Sequence, residues 1–169
     1  STSETLAVTA AALNAHRTSA DHDDRYYTKS QVDNLVASSG LQWIEPGNTV
    51  LASSLSEAST GVWGTRATLK RFVVFNRPGR YRITGEFRSE YPGSGMVATV
   101  RVRAGAFTIG TQSTTSSSWQ SFSFDTPSNV FLGTGDVIEV EGQAEEGARC
   151  VVRNVQVRGD VSSPPSWVV

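Results

Sequence analysis

Beyond Gly40 the chain alternates between apolar and polar residues, and this pattern constrains the fold more than any other feature. In the segment RYRITGEFRS, Tyr81, Ile83 and Phe87 share one face of an extended chain, whereas the arginines and Glu86 share the other. The segments MVATVRVRA and SWQSFSFD repeat the alternation. One face of each strand is therefore expected to enter a core, and the other to face solvent.

Turn signals interrupt these segments about every eight to twelve residues, the spacing typical of β-sandwiches. The strongest are NRPG at 76–79, PGSG at 92–95 and GTGD at 133–136. Further short segments raise the expected number of strands to about nine or ten; they are LQWI, NTVLA, LKRFVVF, FTIG, DVIEVEG and RCVVRNVQVRG. The phrase RPGRYRI…GDVIEV also resembles the strand layout of small virion and cell-surface jelly rolls. The predicted fold is mainly β: a short N-terminal helical segment, then an antiparallel, jelly-roll-like β-sandwich.

The first forty residues follow a helical pattern instead. Leu6 and Leu13 lie seven residues apart in an alanine-rich stretch, as in a heptad seam. Thr28 and Gln31 match a capping box that opens a second short helix. The apolar positions on one face of that helix are Val32, Leu35 and Val36. Helices this short are marginal alone in water, so we expect them to pack against copies of themselves or against a larger partner.

The segment DHDDRYYTKSQVDNL at 21–35 joins the alanine-rich helix to the strand-rich part of the chain, and it includes the start of the second helix. It resembles a segment that recurs in bacteriophage tail-fibre and minor tail proteins, where it links a fibre shaft to a more distal domain. The resemblance implies a virion location, a homotrimer, and contacts with other virion proteins through the N-terminal segment. The residues expected to serve oligomerisation or the joint are Leu6, Leu13, His22, Arg25, Tyr26, Tyr27, Val32 and Leu35.

Charge, hydropathy and cysteine content narrow the function classes. A net charge of -1 without a clustered basic stripe argues against a nucleic-acid partner. The longest apolar runs, such as 72–75, are too short to insert through a membrane. Cys150 is the only cysteine, which excludes an intramolecular disulfide. Its apolar surroundings in RCVVRNVQV predict a small buried side chain rather than a nucleophile.

No set of residues predicts catalysis. The β-rich part contains no histidine, and most of its carboxylates fall on outward strand positions or in turns. A glycosidase-like pair of Glu86 and Glu139 stays open as an alternative, although nothing in the pattern supports it. His16 and His22 leave a metal on a symmetry axis as another alternative, but hydrogen bonds and ion pairs with Arg25 explain the aspartate-rich turn more simply. We therefore expect no enzyme activity, no metal and no cofactor.

Exposed aromatic rings ringed by polar groups are typical of sugar recognition, and four residues are candidates for ligand binding. Trp119 is expected on the face opposite Phe122 and Phe124, beside a Ser/Thr-rich loop at 111–118. The other candidates are Tyr91, Arg88 and Trp63. The alternative for Trp119 is a structural one, in which it covers the edge of the core or an interchain contact.

These observations predict three segments: a helical oligomerisation and attachment segment at 1–40, a β-sandwich at 41–160 and an extended arm at 161–169. The expected function is that of a structural virion component, either a trimeric tail fibre or a receptor-binding tip that presents the sandwich to host-surface glycans. Two alternatives remain open. One is a capsid decoration or head-fibre protein, and the other is a carbohydrate-binding module of a larger enzyme.

Overall fold

The computed structural model describes residues 42–62, 64–91 and 95–163. These residues form nine strands and no helix, which confirms the mainly β prediction. The strands are β1 (Trp43–Ser54), β2 (Ala58–Ser59), β3 (Ala67–Val73), β4 (Arg82–Glu90), β5 (Ala98–Ala104), β6 (Phe107–Thr114), β7 (Gln120–Asp125), β8 (Val137–Ala144) and β9 (Arg149–Ser162). The predicted helices and joint, with all eight of the residues assigned to them, lie outside the described residues, as does Trp63.

The strands pair into two antiparallel sheets. Sheet A has the order β1-β9-β4-β7, with β2 also paired to β9, and sheet B has the order β3-β8-β5-β6. Within the described residues, every pairing between named strands is antiparallel. The two sheets share one hydrophobic core, which is the arrangement expected of a β-sandwich.

The strand pairs are nested in chain order. Leaving aside the short β2, the first strand pairs with the last (β1 with β9), the second with the second-last (β3 with β8), and so inward through β4 with β7 to the hairpin of β5 and β6. This order is what results when one long antiparallel hairpin is folded over on itself. Its consequence is that strands far apart in the chain, β4, β7 and β9, lie side by side in sheet A.

The core follows the alternation read from the sequence. In β4 and just before it, Tyr81, Ile83 and Phe87 are buried, and in β5 Val100 and Val102 are fully buried. Each large apolar side chain removed from water in this way contributes about 1.5–3 kcal/mol. Polar residues between them face outward, so each sheet presents one apolar face to the other sheet and one polar face to solvent.

Two predicted boundaries differ in the structure. The segments LQWI and NTVLA, counted as separate strands, belong to the single strand β1, which passes through Pro46 and Gly47 with register shifts. Proline is tolerated there because β1 is an edge strand, where a missing N–H breaks no essential pairing. The polar stretch expected to be a loop from Thr111 is strand up to Thr114, because β6 continues its pairing with β5.

The predicted turns at 76–79 and 133–136 lie between strands, and the first is fixed by backbone contacts. Gly79 exchanges hydrogen bonds with Leu132 and lies against Ile44, so that a Cβ atom at this position would stand 2.1 Å from the Ile44 carbonyl oxygen. With its φ of +146°, the position suits glycine alone.

In the part of the chain that the structure describes, no helix could cross a membrane.

Candidate functional site

The outer face of sheet A carries a shallow groove, open to solvent, with a volume of about 510 Å³. It runs across the three adjacent strands β7, β4 and β9, and one exposed apolar residue, Leu55, stands at its rim. The polar side chains along it are Thr84, Glu86, Ser121, Ser123, Asn154, Gln156 and Arg158. Because the groove is open to solvent, a ligand would lie along it rather than be enclosed by it.

Strand register arranges these side chains in two rows. Ser123, Thr84 and Gln156 are neighbours across β7, β4 and β9 and form the first row. Ser121, Glu86 and Arg153 form the second row in the same way. Because adjacent strands are about 4.8 Å apart, each row presents polar groups at regular short intervals.

A β-bulge in β9 creates part of the groove. Thr84 pairs with Gln156 and Glu86 with Arg153, so Asn154 and Val155 together face the single residue Gly85. Asn154 takes up the extra residue with a positive φ of 52°. The bulge turns two consecutive residues, Arg153 and Asn154, toward Glu86, and Val155 after them returns to the core.

Glu86 accepts hydrogen bonds from both bulge residues. Arg153 Nε donates over 2.9 Å and Asn154 Nδ2 over 2.6 Å, both to Oε2 of Glu86. These two bonds, from Arg153 first and then Asn154, lower the pKa of the Glu86 carboxyl below its usual value. Glu86 is thus a fixed anion at neutral pH. It cannot act with Glu139, because Glu139 lies between the buried residues Ile138 and Val140 and faces outward from sheet B, on the far side of the sandwich.

Arginines stack on Trp119 at one end of the groove. The guanidinium carbon of Arg153 lies 4.0 Å from the ring centroid of Trp119, and that of Arg88 lies 4.6 Å from it. The Arg88 Nε–H is buried without a hydrogen-bond acceptor among the described residues, so the negative face of the indole is its electrostatic partner. Arg88 also forms an ion pair of 3.0 Å with Glu90.

The sequence therefore located part of this surface. Trp119 and Arg88, two of the four predicted ligand residues, do lie together on the outer face of sheet A. The indole is half-buried and already stacked by guanidinium groups, which leaves less of its face for a sugar ring. Tyr91 lies apart from them, beyond the end of β4. Its ring is next to Gly147, 3.5 Å from the position that a Cβ atom would take there.

A second charged cluster lies at the opposite end of the groove. Arg82 binds Asp125 with two parallel hydrogen bonds, of 2.7 Å from Nε and 2.9 Å from an Nη atom. This contact lowers the pKa of the Asp125 carboxyl. Arg158, the register partner of Arg82 in β9, is held by Gln156, whose Oε1 accepts from Nε over 2.9 Å and from a terminal nitrogen of the same guanidinium.

Several groups in the groove retain hydrogen-bonding capacity. The hydroxyls of Thr84, Ser121 and Ser123 make no side-chain hydrogen bond within the described part of the chain. The Gln156 amide nitrogen and the Asn154 amide oxygen likewise make no hydrogen bond within the described part of the chain. Donors and acceptors are thus both available to a ligand along the whole groove.

The sequence did not single out Thr84, Ser121, Ser123, Asn154, Gln156 or Arg158. Period-two alternation places Thr84, Ser121 and Ser123 on outward positions, so their exposure could have been predicted from the sequence. That β4, β7 and β9 are neighbours depends on pairings between distant parts of the chain, which alternation does not reveal. Among the described residues there is no cluster of His, Cys, Asp and Glu that could hold a metal ion.

No protein-family model matches the chain, and no curated protein matches it in sequence. Several solved structures are similar to this chain. One, described as "CBM4 structure and function", is 14% identical with a TM-score of 0.40 and covers 66% of this chain and 77% of its own. Another, rabbit GITRL, is 13% identical with a TM-score of 0.36 and covers 67% of this chain and 98% of its own. Both likenesses are too distant to support an argument about function.

Proposed function

We propose that this protein is a non-catalytic binding protein that takes up a saccharide in the groove on the outer face of sheet A. The observation that carries the proposal is the groove itself: about 510 Å³, walled by hydroxyl, amide, carboxylate and guanidinium groups on three rigid strands. A saccharide offers many hydroxyls, each able to donate and accept. It therefore matches a surface where unpaired donors and acceptors recur at short intervals.

The groove suits binding better than catalysis. Its one carboxylate, Glu86, is held as an anion by Arg153 and Asn154, so it is a poor proton donor at neutral pH. The remaining polar groups in the groove lining are neutral, apart from the guanidinium of Arg158. Glycoside hydrolysis in its usual form needs two carboxyl groups flanking the bond, and the groove lining supplies one.

We further propose that the sandwich is a jelly roll and that it is carried on a phage fibre. Nested pairing of first with last strand supports the jelly-roll assignment, since jelly rolls are long hairpins rolled into two sheets. Support for the fibre comes from the likeness of DHDDRYYTKSQVDNL to fibre joints. A homotrimer would present three grooves together, which raises avidity for a repetitive glycan on a bacterial surface even when each site is weak.

A steric block tests the groove. Ser123→Arg places a long side chain in the groove from the exposed edge strand β7, and Thr111→Arg places the same side chain on the exposed edge strand β6, on the outer face of sheet B. We expect the intact chain to bind members of an array of bacterial surface polysaccharides, and Ser123→Arg to weaken that binding about tenfold or more. Thr111→Arg should bind as the unmodified protein does.

Circular dichroism and thermal unfolding of both variants serve as the folding control. Equal binding by the two folded variants would contradict the assignment of the groove. Failure of the unmodified protein to bind any polysaccharide on a broad array would contradict the proposed function itself.

A further inference from the structure

On the outer face of sheet A, some arginines form ion pairs with carboxylates, whereas Arg158 forms none within the described part of the chain. Four arginines there have a carboxylate within ion-pair distance. The pairs are Arg80 with Glu45, Arg82 with Asp125 at 2.7 Å, Arg153 with Glu86 at 2.9 Å and Arg88 with Glu90 at 3.0 Å. Within the described residues, Arg158 has none, and both of its hydrogen-bond partners are neutral: the Gln156 side chain and the Asn48 carbonyl oxygen. Arg158 is also the one arginine that lines the groove.

Among the described residues, no carboxylate lies within ion-pair distance of Arg158, because the nearby carboxylates contact other groups. Asp160, two residues further along β9, accepts hydrogen bonds from the backbone N–H groups of Thr49 and Asn48, at 3.1 Å and 3.4 Å. Arg82, the register partner of Arg158, forms an ion pair with Asp125, so Asp125 is not available to Arg158. The groove's own carboxylate, Glu86, belongs to the other row and is already bound by Arg153.

Arg158 is also oriented for a planar anion. Gln156 accepts from two nitrogens of the guanidinium, which fixes the plane of the group. One remaining terminal nitrogen makes only a long hydrogen bond of 3.4 Å to Asn48. The Arg158 guanidinium therefore keeps N–H groups that can bind a ligand. The unpaired hydroxyls of Thr84 and Ser123 lie in the neighbouring row of the same face. A rigid guanidinium with free N–H groups is the preferred protein partner of a carboxylate.

We infer that the groove selects an acidic saccharide, one whose sugar carries a carboxylate, and that Arg158 binds that carboxylate. This inference rests on the proposed function, because it names the class of glycan that the groove takes. Thr84, Ser123 and Gln156 would contact hydroxyls of the same sugar, and Glu86 with Asn154 would contact the next sugar along. The binding should weaken with salt, since an ion pair at a partly exposed site is screened.

The experiment compares matched saccharides by calorimetry on the intact chain. The probes are oligogalacturonate, the same oligomer after reduction of its carboxylates to hydroxyls, and sulfated dextran of similar length. The variants are Arg158→Gln, Arg158→Lys and, as a control for net charge, Arg71→Gln, which removes an exposed arginine from the outer face of sheet B.

We expect the carboxylated oligomer to bind about tenfold or more tightly than its reduced form, because a charge-assisted contact is lost on reduction. Arg158→Gln should abolish that difference, so that the two oligomers bind this variant with equal affinity. Arg158→Lys should restore only part of it, because an ammonium lacks the planar fork. Arg71→Gln should leave it unchanged. Tighter binding of sulfated dextran than of oligogalacturonate would assign the cation to a sulfate instead and overturn the carboxylate inference.

The inference and the proposed function fail differently. If both oligomers bind equally and Arg158→Gln changes neither, while Ser123→Arg still blocks binding, the acidic class is wrong and the saccharide groove stands. If neither oligomer binds and no array polysaccharide does, the proposed function is overturned together with the inference.

Discussion

At the scale of single residues, burial decides which chemically reactive groups are available. Cys150, expected to be a buried apolar side chain, is fully buried and has no disulfide partner. Burial raises the pKa of its thiol to about 12, so the reactive thiolate is not populated at neutral pH. We predict that a thiol reagent leaves the folded protein unlabelled at pH 8 and labels one group per chain in denaturant. The Phe107→Cys variant, with a thiol at an exposed position, should be labelled at once. Rapid labelling of the unmodified folded protein would contradict this burial.

At the scale of elements, the bulge in β9 connects backbone geometry to the groove. Asn154 has a φ of 52°, a left-handed conformation that asparagine tolerates and β-branched residues avoid. We predict that Asn154→Val lowers the free energy of unfolding by about 2 kcal/mol, from backbone strain and the lost bond to Glu86. Asn154→Gly, which loses the same bond but accommodates the φ, should stay within about 1 kcal/mol of the unmodified protein. Urea unfolding measures both. If the two variants were equally stable, the strain would not be the reason for asparagine here.

At the scale of the whole molecule, side chains of the described residues from both sheets bury one another in one hydrophobic core. We predict that the intact chain has a solution mass about three times 18.1 kDa, and that removal of residues 1–40 leaves a folded monomer. Light scattering over a range of concentrations measures the mass, and thermal unfolding of the truncated chain checks its fold. An intact chain that is monomeric throughout would favour a stand-alone binding module over a fibre component.

The β class, the core faces and the burial of Cys150 could all be predicted from the order of residues along the chain. These depend on local alternation, since neighbouring side chains on a strand must point to opposite sides. The sequence also brought out Trp119 and Arg88, because an aromatic and a cation on outward positions are visible one strand at a time. The adjacency of β4, β7 and β9, and the bulge that turns Asn154 toward Glu86, could be seen only in the folded chain. The same holds for Arg158, which has no carboxylate partner among the described residues. Pairing between distant strands determines which charged side chains lie close together.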